Sequence, residues 1–151
     1  MSDLINQLFS EVVKVNVLEE GDALAAALYP TSGNFKDLRG VHRFAVVGIV
    51  NAVDSAVTIQ VQQATAVNGS PKDITGAVHI IPADGSENGK WFVIEVEVSH
   101  MDSNNGYKFV TVAVSGVAGS NDTVTLLLLE FGGPKVPCAQ PDLAVAVNVV
   151  G

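Results

Sequence analysis

The chain carries one cysteine, Cys138, so no disulfide can form within it and no four-cysteine zinc site can be built. Cys138 sits between Pro137 and Ala139 with no histidine close in sequence, and it reads as an inert thiol rather than a nucleophile. Basic residues are scarce too: eight Lys and Arg face 16 Asp and Glu, a formal net charge of −8. They are scattered, and only Arg39 and Arg43 lie close together. The clustered cations that neutralise phosphates are missing, so direct nucleic-acid binding is not expected. No run of 18 apolar residues occurs, which argues against a membrane-spanning helix. The opening MSDLINQLFSEVV has no basic n-region and contains Asp3 and Glu11. That argues against a secretory signal and for folding in a reducing cytoplasm.

Catalytic signatures are missing as well. His42, His79 and His100 fall on three different predicted elements, and no HExxH, HxH or CxxC pattern accompanies them. His42 reads as a strand-face residue and His100 as a turn residue. There is no GxSxG elbow, and Ser70 in NGSPK serves a turn. Glu95 and Glu97 occupy alternate strand positions, which puts two carboxylates on one face, the minimal apparatus for glycoside hydrolysis. A solvated strand face gives the same pattern, and aromatics for stacking a sugar amount to 6% of the chain with Trp91 the sole tryptophan. The loops ADGSENG and GSNDT offer oxygen ligands without the spacing of a calcium loop. The expectation is a non-enzyme with no catalytic residue, no metal and no cofactor.

What the chain has is apolar, β-branched sequence. Apolar residues make up 48% and charged ones 16%, with a mean hydropathy of +0.35. That is more than a solitary soluble domain needs to hide, and it points to surfaces shielded by other subunits. Valine alone supplies 26 residues, and it suits a pleated, half-buried surface. Runs of six to ten residues recur between Gly, Asn, Asp, Ser and Pro clusters. This spacing predicts one all-β domain over residues 1–131, a β-barrel or sandwich of about eight strands. Strands are expected at 12–18, 41–50, 56–64, 74–81, 91–99, 107–115 and 123–131. Residues 31–40 read as a loop. The Ala-rich DALAAAL at 22–28 predicts a short helix capped by Asp22 and stopped by Pro30. Core candidates are Phe44, Val46, Ile59, Val61, Phe92, Ile94, Val96, Val110, Val112, Leu126 and Leu128.

Two stretches suggest how copies would meet. VTIQVQQA alternates apolar residues with Thr58, Gln60 and Gln62. Amides and hydroxyls cost less to desolvate than charges, so this stripe suits a subunit interface as well as an ordinary wet strand. After Phe131 the composition changes: residues 132–142 (GGPKVPCAQPD) form a Pro- and Gly-rich connector, and 143–151 (LAVAVNVVG) an apolar tail. An unpaired apolar strand is an aggregation hazard. The tail must therefore return to its own sheet or cross to a neighbouring subunit, with Leu143, Val145, Val147 and Val149 as its interface face.

The order of DLRGVHRFAVVGIV, AVTIQVQQATAVNGSPKDITGA, NGKWFVIEVEVSHMD and NGYKFVTVAVSGVAGSNDTVTLLLLEF resembles small virion structural proteins of tailed bacteriophages. The residues that carry it are Arg43, Phe44 and Val46; Val57, Gln60, Gln62, Gln63, Ala64 and Thr65; Lys72 to Gly76; Val93 to Val96; and Tyr107 to Val110. It covers roughly residues 37–131. The resemblance implies a small β-barrel or sandwich that acts as a head decoration, cement or head–tail component. It also implies a homo-oligomer larger than a dimer, assembled in the host cytoplasm and bound to capsid or tail proteins within the virion, with no catalytic residues to carry over. The alternative is a carbohydrate- or host-surface-binding β module with Trp91 and Tyr107 as its stacking platform.

Overall fold

The computed structural model describes residues 13–119 and 121–132, which form nine strands and two single-turn 3₁₀ segments, Val98–His100 and Ser103–Asn105. The strands are β1 (Val13–Ala23), β2 (Leu28–Tyr29), β3 (Lys36–Asp37), β4 (Arg43–Ala52), β5 (Val57–Ala64), β6 (Lys72–Ile81), β7 (Trp91–Glu97), β8 (Phe109–Ser115) and β9 (Thr123–Phe131). They build two antiparallel sheets. Sheet A has the order β1-β9-β4-β7. Sheet B has the order β2-β8-β5-β6, with β3 also paired to β8. From β4 onward the chain shuttles between the layers. β5 and β6 form a hairpin in sheet B, β7 returns beside β4, β8 joins β5, and β9 inserts between β1 and β4. Among the described residues no ladder joins β6 to β7, so the two layers make a sandwich rather than a closed barrel.

The core lies between the sheets and comes from the period of two. Each strand points alternate residues inward, and all eleven expected core residues are buried, from Phe44, Val46, Ile59 and Val61 to Leu126 and Leu128. Leu38, Val50, Val57, Val124 and Ile81 complete it. The LLLL run of β9 alternates as well: Leu126 and Leu128 face the core, while Leu127 and Leu129 are half-buried on the outer side.

Residues 22–28 do not form the expected helix. β1 continues through Asp22 to Ala23, where it pairs with Thr123, and the Leu24 amide donates to the Asp122 carbonyl at 2.8 Å. The chain then bends, the Ala25 amide donates to the Tyr29 hydroxyl at 3.0 Å, and Leu28–Tyr29 join β8. A two-turn helix cannot repay its own nucleation in water. Strand pairing together with burial of Leu24 overrides the alanine propensity. Likewise 31–40 is not wholly loop, since Lys36–Asp37 pair with Val110 and Phe109.

The sheets are held at one side by a stack of three residues. Gly48 on β4 stands opposite Phe92 on β7, and a Cβ there would lie 2.1 Å from the Phe92 ring. The ring occupies that space, and His79 of β6 stacks on it at 4.5 Å between centroids. His79 Nε2 in turn meets Glu87 Oε2 at 2.8 Å.

Candidate functional site

Two surfaces gather the unusual features. The first is the outer face of sheet A. The register places Val17, Leu127, Val47 and Val93 in one row across all four strands, with Ile49 and Trp91 side by side in the next. Trp91, Val93 and Ile49 are exposed, Trp91 by 68%. Charge on this face gathers towards the other end of β4 and β7, at Arg43, Glu95 and Glu97, where Arg43 also lies 5.6 Å over the Phe131 ring.

The second surface is a groove of about 670 Å³ between the outer strands of the two sheets, bordered by Ile74, Ala77, Glu95, Val96, His100 and Met101. β6 bulges here. Gln60 pairs with Val78 and Gln62 with Asp73, so residues 74–77 loop out of the ladder, turning at Gly76 with φ +83°. At the groove's end, Lys72 Nζ reaches Asp102 at 2.5 Å and lies 4.0 Å over the Tyr107 ring. The lysine's hydrogen bond, and then that of Asn105, holds the Asp102 carboxyl below its ordinary pKa, and Asp102 holds the Lys72 ammonium above its own.

The residues singled out in the sequence are distributed as follows. Gln60 Nε2 donates to the carbonyls of Val61 (2.9 Å), Ile74 (3.1 Å) and Ala77 (3.1 Å), and so satisfies the backbone that the bulge frees. Gln62 Nε2 donates to Asp73 Oδ1 at 2.7 Å. Thr58 is half-buried between Ile80 and Ser115. The polar stripe is thus engaged largely within its own sheet. Trp91 opens β7, whereas Tyr107 lies with Lys72 and Asp102 past the strand's other end. The length of β7, about 20 Å, separates them. Glu95 and Glu97 share the exposed face of β7, as alternation predicts. No group of three or more His, Cys, Asp or Glu among the described residues could hold a metal ion. Cys138, Leu143, Val145, Val147 and Val149 lie outside the described residues.

The loops rich in oxygen ligands do structural work. Asn88 Oδ1 accepts the Val53 amide at 3.0 Å. Asp122, fully buried, accepts the Asp54 amide at 2.9 Å, the Ser55 amide at 3.3 Å, the Ala118 amide at 3.4 Å and the Ser55 hydroxyl. Burial alone would raise its pKa. The hydrogen bonds from the Ser55 side chain and from the three amides outweigh that and hold the carboxyl below the ordinary range. In the sequence Asp122 stands out only as one of the oxygen ligands of GSNDT, not as a structural tie. The signal was an Asp between a turn and a strand start, a position where its side chain can tie neighbouring amides.

No family model matches the chain, and no curated protein matches it in sequence. Among the solved structures to which the chain is similar are two at low identity and low TM-score. One is a chain from work described as "Bacillus endospore appendages form a novel family of disulfide-linked pili". It is 12% identical with a TM-score of 0.44, over 88% of this chain and 97% of that one. The other is the coat protein of Tobacco streak virus, 9% identical with a TM-score of 0.40, over 93% and 98% respectively.

Proposed function

We propose that this protein is a non-enzymatic structural subunit that assembles with copies of itself, in an oligomer larger than a dimer, as a head decoration, cement or head–tail component of a tailed-phage virion. One observation carries the self-assembly: the apolar row Val17, Leu127, Val47 and Val93 with Ile49 and Trp91 beside it, on the outer side of sheet A. In a soluble antiparallel sheet that side is normally the polar one. Contiguous exposed apolar patches mark contact surfaces, and in a ring or shell each further contact of this kind is intramolecular once the first has formed. The virion assignment is supported by the ordered sequence pattern over residues 37–131 that resembles tailed-phage structural proteins.

The test is light scattering on the size-fractionated full chain at micromolar concentration. The expected result is a discrete species of more than two subunits; a clean 15.7 kDa monomer would remove the basis for self-assembly.

A further inference from the structure

We infer that the outer edge of β7, which pairs with no described strand, together with the groove between β6 and β7, is an acceptor for one added strand, and that the strand is residues 143–151 of a neighbouring copy. This rests on the self-assembly reading above and names the contact that would perform it.

The edge follows from the hydrogen bonds of β7. The Val98 amide donates to the His42 carbonyl at 3.0 Å and the Val50 amide to the Lys90 carbonyl at 2.9 Å. With the register of β4 and β7 this fixes which residues bond inward: Phe92, Ile94 and Val96 direct their backbone groups to β4. Trp91, Val93, Glu95 and Glu97 direct theirs to the opposite edge, which pairs with no described strand. A row of such groups on an apolar strand is a template for another strand.

The core is thinnest beneath this edge. Phe92, Ile94 and Val96 retain 9%, 8% and 6% exposure, whereas Phe44, Val46, Ile59 and Leu126 retain none. The stack of Phe92 on His79 closes the seam at the Trp91 end. The groove leaves it open alongside Glu95 and Val96. A strand laid against Val93 to Glu97 would direct alternate side chains inward over Ile94 and Val96 and the others outward beside Val93 and Glu95. LAVAVNVVG fits that asymmetry: Leu143, Val145, Val147 and Val149 are bulky, while Ala144, Ala146 and Asn148 between them are smaller.

Length brings a neighbour's β7 within reach. Phe131 stands opposite Arg43, which stands opposite Glu97, so Gly132 leaves the sheet only two strand spacings from β7, about 10 Å. Residues 133–142 contain Pro134, Pro137 and Pro141. Fully extended, a connector of that length spans about 30 Å, roughly three times that gap, so it is long enough to carry 143–151 to the β7 edge of another molecule.

The experiment uses the full chain with Cys138→Ser. One preparation carries Glu95→Cys; a second carries Ala144→Cys, Ala146→Cys or Asn148→Cys. The two are mixed, oxidised and mapped by mass spectrometry. The expected product is a disulfide between position 95 of one chain and a tail position of the other, with the corresponding double-cysteine chain giving covalent ladders. Two further variants, deletion of 143–151 and Glu95→Pro, should each collapse the oligomer to monomer mass. The proline removes an outward amide only, so the β4–β7 ladder stays complete. A double-cysteine chain that closes on itself, or an oligomer unchanged by both variants, overturns this inference and leaves the self-assembly reading standing. A monomeric wild type overturns both.

Discussion

At the residue scale, the most consequential single side chain is one that does no chemistry. Asp122 ties the amides of Asp54, Ser55 and Ala118 to one carboxylate, joining the β4–β5 connection to the turn before β9. Replacing it with Ala leaves several partly buried donors without an acceptor, and each such loss costs about 1–3 kcal/mol. Asp122→Ala is expected to lower the free energy of unfolding by about 2–4 kcal/mol, measured by urea denaturation. The pH dependence has a definite sign. The folded pKa is depressed below the unfolded value of about 3.9. The stabilisation is therefore complete above pH 4–5 and lost as pH falls through the folded pKa. In Asp122→Asn that acid-side slope should be shallower than in wild type. Equal slopes would show that other carboxylates carry it.

At the element scale, β4 and β7 depend on a side chain that is not there. Gly48 faces the core where a side chain would normally stand, and Phe92 fills the gap before His79 stacks over it. Gly48→Ala must displace the ring, because a new carbon at 2.1 Å is far inside contact distance. The expected cost is about 1–3 kcal/mol, read as a lower melting temperature. Loss of protection in the amide exchange of β7 should accompany it, and an unchanged melting temperature would contradict the packing described. The same elements show what the sequence carried. Alternation alone marked the faces of β5, β7 and β8, so core residues such as Ile59, Ile94 and Val112 were readable without a structure; the LLLL run of β9 reads in sequence as buried on both faces, and only the structure shows Leu127 and Leu129 half-buried on the outer side. Burial and period two are local signals. The bulge at 74–77 was not readable, and with it went the role of Gln60, whose amide bonds carbonyls more than a dozen residues away. Nor was the edge position of β7, because sheet order is a property of the whole chain. The alanines of 22–28 misled for a related reason: a local helical preference of a few tenths of a kcal/mol per residue is smaller than the pairing of β1 with β9.

At the scale of the whole molecule, sheet A carries apolar residues on both of its sides. Its inner side is sealed by sheet B, while its outer side presents Trp91, Val93 and Ile49 to water. The patch is too small by itself for a standard interface, which buries about 800 Å² per partner. Trp91, at 68% exposure, contributes the largest share, on the order of 150 Å². Stable assembly therefore calls for several such contacts per subunit, or for one patch supplemented by an exchanged strand. Because Trp91 is the sole tryptophan, its fluorescence reports on this face alone. Raising the concentration from nanomolar to micromolar should shift its emission to shorter wavelength as the indole leaves water, in step with the mass from light scattering. Trp91→Lys should lower the association constant at least tenfold, as expected of a central aromatic anchor. Polysaccharide from a bacterial surface should leave the emission of the assembled protein unchanged. An emission maximum that ignores concentration but moves with polysaccharide would instead assign the exposed indole to sugar stacking, and the apolar face of sheet A to a ligand rather than to another copy of the chain.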